Sequence, residues 1–146
     1  MAKIKIFSLG GLNENGKNTY IIEVNDGIYI FDCGLKYATG NMLGIDYVIP
    51  DFEYLIKNRK RIKGLFLTHG HYENMGAVYD LVKSIKELKI YATKFTKFML
   101  LEDGVPEKNI IEITPHKKLN FKEVSIFPIA VSHSCPDSVM YVVNTK

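Results

Sequence analysis

Four histidines are available for chemistry, at positions 69, 71, 116 and 133. His69 and His71 stand in THGHYENMG, residues 68–76, with only Gly70 between them. Side chains two apart on an extended backbone point the same way, so two imidazoles can converge on one ion. Gly70 keeps side-chain bulk out of the gap. His133 ends a second apolar run, KEVSIFPIAVSHS. Three histidines with an open fourth position form the ligand pattern of a catalytic zinc ion rather than a closed structural one. The same residues also read as capping or core histidines. An isolated HxH is weak evidence, and the third strand-end histidine strengthens it. Asp32, in FDCG, also ends an apolar strand. It reads as an exposed turn residue or as an acceptor for the N–H of a metal-bound histidine.

Two other stretches invite a chemical reading. GLNENGKN, residues 11–18, nearly satisfies the phosphate-cradling pattern GxxxxGK[ST]. Asn18 stands where that loop needs a hydroxyl for Mg²⁺. The following TYIIEV reads as a strand, so no helix N-terminus is there to receive phosphates. KNRKRIK, residues 57–63, is basic. Cations at a helix C-terminus are favoured by its dipole, and this is the preferred account. A contact with an RNA backbone is the alternative, unsupported by interleaved aromatics within the run.

These residues must be positioned by strands and helices. KIKIFSLGG predicts a strand entering a glycine turn, and NTYIIEVNDGIYIFDCG a hairpin about Asn25-Asp26-Gly27. Residues 34–50 read as a long loop. Asp51 is placed to cap a short helix through FEYLIKNRK. IKGLFLTHG is an apolar strand ending in the histidine pair. NMGAVYDLVKSIKEL has helical spacing, with Asn74 placed to cap it. KIYAT predicts a strand and KFTKFMLLEDG a helix ending near Gly104. NIIEIT, KEVSIFPIAVSHS and SVMYVVNT predict three more strands. Early hairpins followed by strand–helix alternation give an α/β (α+β mixed) chain, with mixed sheets flanked by helices.

The 146 residues suffice for one core, and 47% hydrophobic with 24% charged residues is ordinary for a globular protein. No apolar run has membrane-spanning length, and the N-terminus lacks a secretory apolar segment. Cys33 and Cys135 form no CxxC, which fits reduced thiols in a cytoplasmic protein. The net charge of +3 permits a nucleic-acid partner without arguing for one. DSVMYVVNTK stops just after an apolar strand, the expectation for a piece of a longer protein.

Taken together, THGH after an apolar strand, FDCG upstream and HSCPDS downstream resemble the metallo-β-lactamase fold. More narrowly, SLGGLNENGKNTYIIE, GIDYVIPDFEYL and SHSCPDS are similar to ribonuclease J, the bacterial RNA-degrading branch with a β-CASP domain. The resemblance runs along nearly the whole chain, and several separated segments agree in order and spacing. It implies the N-terminal half of an αββα sandwich, with residues 1–146 a single partial domain and the β-CASP and C-terminal domains outside it. It implies two metal ions, usually zinc, and hydrolysis of RNA both endonucleolytically and from 5′ to 3′.

Carried over residue by residue, the resemblance makes His69, His71 and His133 ligands of the first metal, supported by Asp32. The signature HxHxDH asks for Asp at position 73 and His at position 74. Glu73 and Asn74 stand there instead, altered catalytic positions that imply one zinc ion and a weak second site, with manganese or magnesium as alternative ions. The bridging aspartate of the family would follow Lys146. Two readings result: an active metal-dependent ribonuclease, or a weak or inactive paralogue that binds RNA beside an active ribonuclease J. The altered motif favours the second. In full length the resemblance implies a homo- or hetero-oligomer, with no membrane partner. A thioesterase or lactamase is disfavoured by GIDYVIPDFEYL and SHSCPDS.

Overall fold

A computed structural model describes residues 2–145. The chain begins with β1 (Ile4–Gly10), β2 (Thr19–Val24) and β3 (Gly27–Phe31), an antiparallel meander. The hairpin forms about Asn25 and Asp26, with Asn25 in the left-handed region at φ 52°. GLNENGKN is the β1–β2 connection and leads into β2 rather than a helix, as TYIIEV predicts.

After β3 the pairing turns parallel. β6 (Ile62–Phe66) joins β3, then β7 (Ile90–Ala92) and β8 (Ile110–Glu112) extend the sheet to the order β1-β2-β3-β6-β7-β8. The crossovers carry α1 (Glu53–Lys57), α2 (Tyr72–Met75), α3 (Val78–Ser84) and α4 (Lys94–Glu102). Every residue of β3 is buried, because it is central and covered on both faces. Ile28 and Ile30 pack with Leu55, Leu81 and Leu100 on the helical side. Tyr29 and Phe31 pack with Phe66, Val124 and Ile126 on the other.

That second face is covered by a three-stranded antiparallel sheet of β9 (Leu119–Asn120), β10 (Val124–Ala130) and β11 (Val139–Thr145), in the order β11-β10-β9. The layers are therefore helices, mixed sheet, antiparallel sheet. The outer face of the small sheet exposes Met140 and Val142.

Local expectations are met unevenly. Residues 34–50 are not wholly a loop: β4 (Lys36–Tyr37) pairs with β5 (Tyr47–Val48). Asp51 accepts the Glu53 backbone N–H at 2.8 Å from one residue before the cap position, which Phe52 occupies without a side-chain capping bond. The Gly104 stop has its left-handed φ of 82°. Asn74, by contrast, caps no helix. It lies inside α2, and the expected single helix breaks at Gly76–Ala77. The reason is competition for the backbone. Cys33 donates its N–H to the Asn74 carbonyl at 2.7 Å and accepts the Ala77 N–H at 2.9 Å, drawing both groups toward the end of β3.

Candidate metal centre

The parallel strands β3 and β6 end side by side, and their carboxyl ends carry Asp32 and the segment 68–71. This is where open α/β sheets place their ligands. The third contributor, His133, lies three residues beyond β10 in a loop. Thr68 carbonyl accepts the Val139 N–H at 2.9 Å, and Cys135 Sγ accepts the Gly70 N–H at 3.3 Å. Ser138 Oγ donates to the Cys135 carbonyl at 2.7 Å and holds the turn closed. The loop bearing His133 is thus latched to the loop bearing the histidine pair.

The result is a convergence of three imidazoles. His69 Nε2 lies 3.1 Å from His71 Nδ1 and 3.2 Å from His133 Nε2. All candidate donor atoms fall within 4.8 Å of one another. Nitrogens each 2.0–2.1 Å from a tetrahedral ion stand about 3.3 Å apart, so the donor set fits zinc chemistry. Burial, with His133 and His71 as further causes, lowers the His69 pKa from 6.5 to about 4. A neutral imidazole is the form that binds a metal. His116, the fourth histidine, stands apart beside Phe127.

Behind His69 is a hydrogen-bonded chain. Thr68 Oγ1 lies 2.9 Å from His69 Nδ1 and 2.9 Å from Asp32 Oδ2. An ionised carboxylate only accepts, so the single hydroxyl proton goes to Asp32. Thr68 then accepts from Nδ1–H of His69, and the Nε2 lone pair is left facing the cluster. Asp32 therefore supports the imidazole through Thr68 and not by direct contact.

Asp32 is buried at a left-handed φ of 59°. It also accepts the Thr68 backbone N–H at 2.8 Å and the Asn74 side-chain amide at 2.7 Å. Burial raises its pKa to about 6 against the lowering effect of those bonds.

The altered positions behave differently from the histidines. The Asn74 amide faces Asp32, and its oxygen accepts from Asn18 Nδ2 at 3.4 Å. The Glu73 carboxylate does not join the converging group found among the described residues. Its backbone carbonyl instead accepts the Asn18 N–H at 3.0 Å. Gly34 lets this loop approach: a Cβ there would stand 1.6 Å from the Glu73 carbonyl oxygen. Thr68, Asn18 and Cys135 join the site without having been assigned to it from sequence. Thr68 adjoins His69 and was open to notice. Asn18 and Cys135 act from distant segments with no local signal.

Residues 12–142 match the metallo-beta-lactamase superfamily. The chain is 38% identical over 149 aligned residues to ribonuclease J 2 of Staphylococcus epidermidis, covering 98% of this chain and 26% of that protein. It is 39% identical over 148 to ribonuclease J 1 of Streptococcus pyogenes, covering 98% and 26%. The chain thus spans about a quarter of the length of these curated relatives. A crystal structure of a protein of unknown function from Enterococcus faecalis superposes with a TM-score of 0.72 at 19% identity, over 99% of this chain and 41% of that one. That likeness bears on the fold. The superfamily implies a metal cofactor, and the histidine cluster is the group of side chains suited to hold one. The chain belongs to the metallo-beta-lactamase superfamily, and it is homologous to the corresponding region of ribonuclease J.

Proposed function

We propose that this chain is the metallo-β-lactamase part of a ribonuclease J-type protein that degrades RNA by metal-dependent phosphodiester hydrolysis, endonucleolytically and from 5′ to 3′, and that its second metal position is weakened. The observation that carries this reading is the contrast at one loop: three imidazoles converge, while the Asn74 amide is engaged by Asp32 and Asn18. In this reading His69, His71 and His133 hold one ion, and Asp32 orients His69 through Thr68. The all-nitrogen set favours zinc over the harder manganese or magnesium. Such an ion supplies Lewis-acid polarisation of a phosphoryl oxygen and activation of water at neutral pH. Two-ion sites clamp both the attacking and the leaving oxygens. A neutral amide at position 74 and a longer carboxylate at position 73 replace the second set of ligands poorly. A cytoplasmic location accords with this function, and no helix among the described residues is long and apolar enough to cross a membrane.

The engagement of Asn74 also favours the second reading, a weak or inactive RNA-binding subunit that partners an active ribonuclease J. Two measurements test the pair. Elemental analysis after zinc titration of the 146-residue chain should give about one ion, lost in a His69→Ala/His71→Ala variant, with no RNA cleavage by either. A chain that binds no ion overturns the three-histidine site. In the full-length protein, Glu73→Asp/Asn74→His should raise the rate of RNA cleavage, and an unchanged rate overturns the weakened second position.

A further inference from the structure

The amino ends of the parallel strands, opposite the histidines, carry a separate cleft of about 360 Å³. Its volume is in the range of small-molecule sites. Arg59 lies in the helical turn before β6, Lys63 at the start of β6, and Lys89 just before β7; all three line the cleft. The aromatic residues Tyr91 and Phe121 line it too, over an apolar floor. Glu87 is the one carboxylate among the lining residues. None of the three cations forms an ion pair among the described residues, whereas Lys57 pairs with Glu53 and Arg61 with Glu23. Within the basic run, Lys57 and Arg61 are ion-paired while Arg59 and Lys63 line the cleft, Arg59 also donating to the Ile56 carbonyl at 3.4 Å.

The aromatics missing from the run itself arrive from elsewhere in the chain. Tyr91 lies over Gly64, where a Cβ would stand 2.6 Å from its ring, and stacks on Phe66 at 4.7 Å. Phe121 meets Tyr91 edge to face at 5.8 Å. Unpaired cations beside rigid aromatic rings match the two halves of a nucleotide, phosphate and base. A purely anionic ligand would leave the apolar floor unused, and an apolar ligand would leave three charges unanswered.

We infer that the cleft formed by Arg59, Lys63, Lys89, Tyr91 and Phe121 is a second nucleotide-binding site, separate from the histidine centre, that takes one nucleotide unit of single-stranded RNA or a free nucleoside monophosphate. It does not depend on the hydrolytic reading, because its test is made with EDTA present and reads binding alone. The probe is a fluorescein-labelled uridine oligonucleotide, followed by anisotropy with the 146-residue chain across a salt series. One nucleotide unit with the phosphates on either side of it gives a log–log salt slope of about −1.4. Lys63→Gln/Lys89→Gln should reduce the slope by about 0.7 and the affinity at 0.1 M salt by about 5-fold. Lys94→Gln/Lys108→Gln removes equal charge elsewhere and should change neither. Phe121→Leu keeps apolar volume and should weaken binding without altering the slope. Circular dichroism checks that each variant is folded. Displacement of the probe by millimolar AMP assigns the site to free nucleotides as well, and lack of displacement assigns it to polymeric RNA. No binding by the unaltered chain, or equal loss in the two lysine pairs, overturns the inference.

Discussion

The side-chain amide of Asn74 donates to Asp32 at 2.7 Å, across the gap between the histidine loop and the end of β3. Asp32 is buried, so each bond to it replaces water that cannot reach it. Asn74→Ala should therefore destabilise the chain by about 1–3 kcal/mol, the cost of leaving a buried charged acceptor short of a donor. Urea denaturation measures this. A loss within about 0.5 kcal/mol, the scale of ordinary surface substitutions, would show that the two Thr68 bonds satisfy Asp32 alone.

Among the described residues, Thr68 is the hydrogen-bonded link between Asp32 and His69. Replacing it with valine keeps the shape and removes the hydroxyl. Partners that orient a metal-bound histidine typically contribute about 10–100-fold in metal affinity. Thr68→Val should lower zinc affinity by that factor, and Thr68→Ser should restore most of it. Competition against a chromophoric chelator reads both. Equal affinity in the valine variant would remove Thr68 from the site.

Gly34 and Gly40 form a matched pair. A Cβ at Gly34 would overlap the Glu73 carbonyl, while a Cβ at Gly40 meets nothing within 4 Å. Gly34→Ala should cost at least the 1–3 kcal/mol typical of overpacking, about that amount or more, and weaken zinc binding by displacing the loop. Gly40→Ala should be near neutral. Thermal denaturation with and without zinc distinguishes them, and similar behaviour of the two variants would refute the close approach.

Two groups at the site oppose each other in pH dependence. The His69 pKa is lowered from 6.5 to about 4, so its contribution to stability is present above pH 6.5 and is lost as the pH falls through about 4. The Asp32 pKa is raised from 3.8 to about 6, so its contribution is full below pH 3.8 and is lost as the pH rises through about 6. The two slopes partly cancel in the metal-free chain. The difference in stability between the unaltered chain and His69→Gln should grow as pH rises from about 4 to about 6.5. Urea midpoints across that window test the sign, and a difference that shrinks with rising pH would contradict it.

Much of the site was legible because its chemistry is local. The spacing of His69 and His71, the strand before them and the Gly104 and Asp51 helix boundaries depend on near neighbours and follow from periodicity and capping. The strand-end position of His133 suggested a third ligand and the family resemblance assigned it, but no short-range rule fixes the convergence of positions 64 residues apart. The role of Asn74 was misread for a related reason. As a residue type it suits a helix cap, but Cys33 draws its backbone toward β3 and Asp32 binds its side chain.

The sequence by itself determined which residues can ligate metal, where the longer apolar strands run, and that a strand follows the glycine loop, but not the short β4–β5 pair. Only the tertiary structure decided which atoms meet. Thr68 comes between Asp32 and His69, Gly34 admits the Glu73 carbonyl, and Tyr91 and Phe121 reach the basic cleft that their own segments do not announce. The physical reason is that ligand type and strand period are properties of a few consecutive residues. Contacts across a sheet are set by how distant segments share one core, and many spacings of polar residues are compatible with the same local pattern.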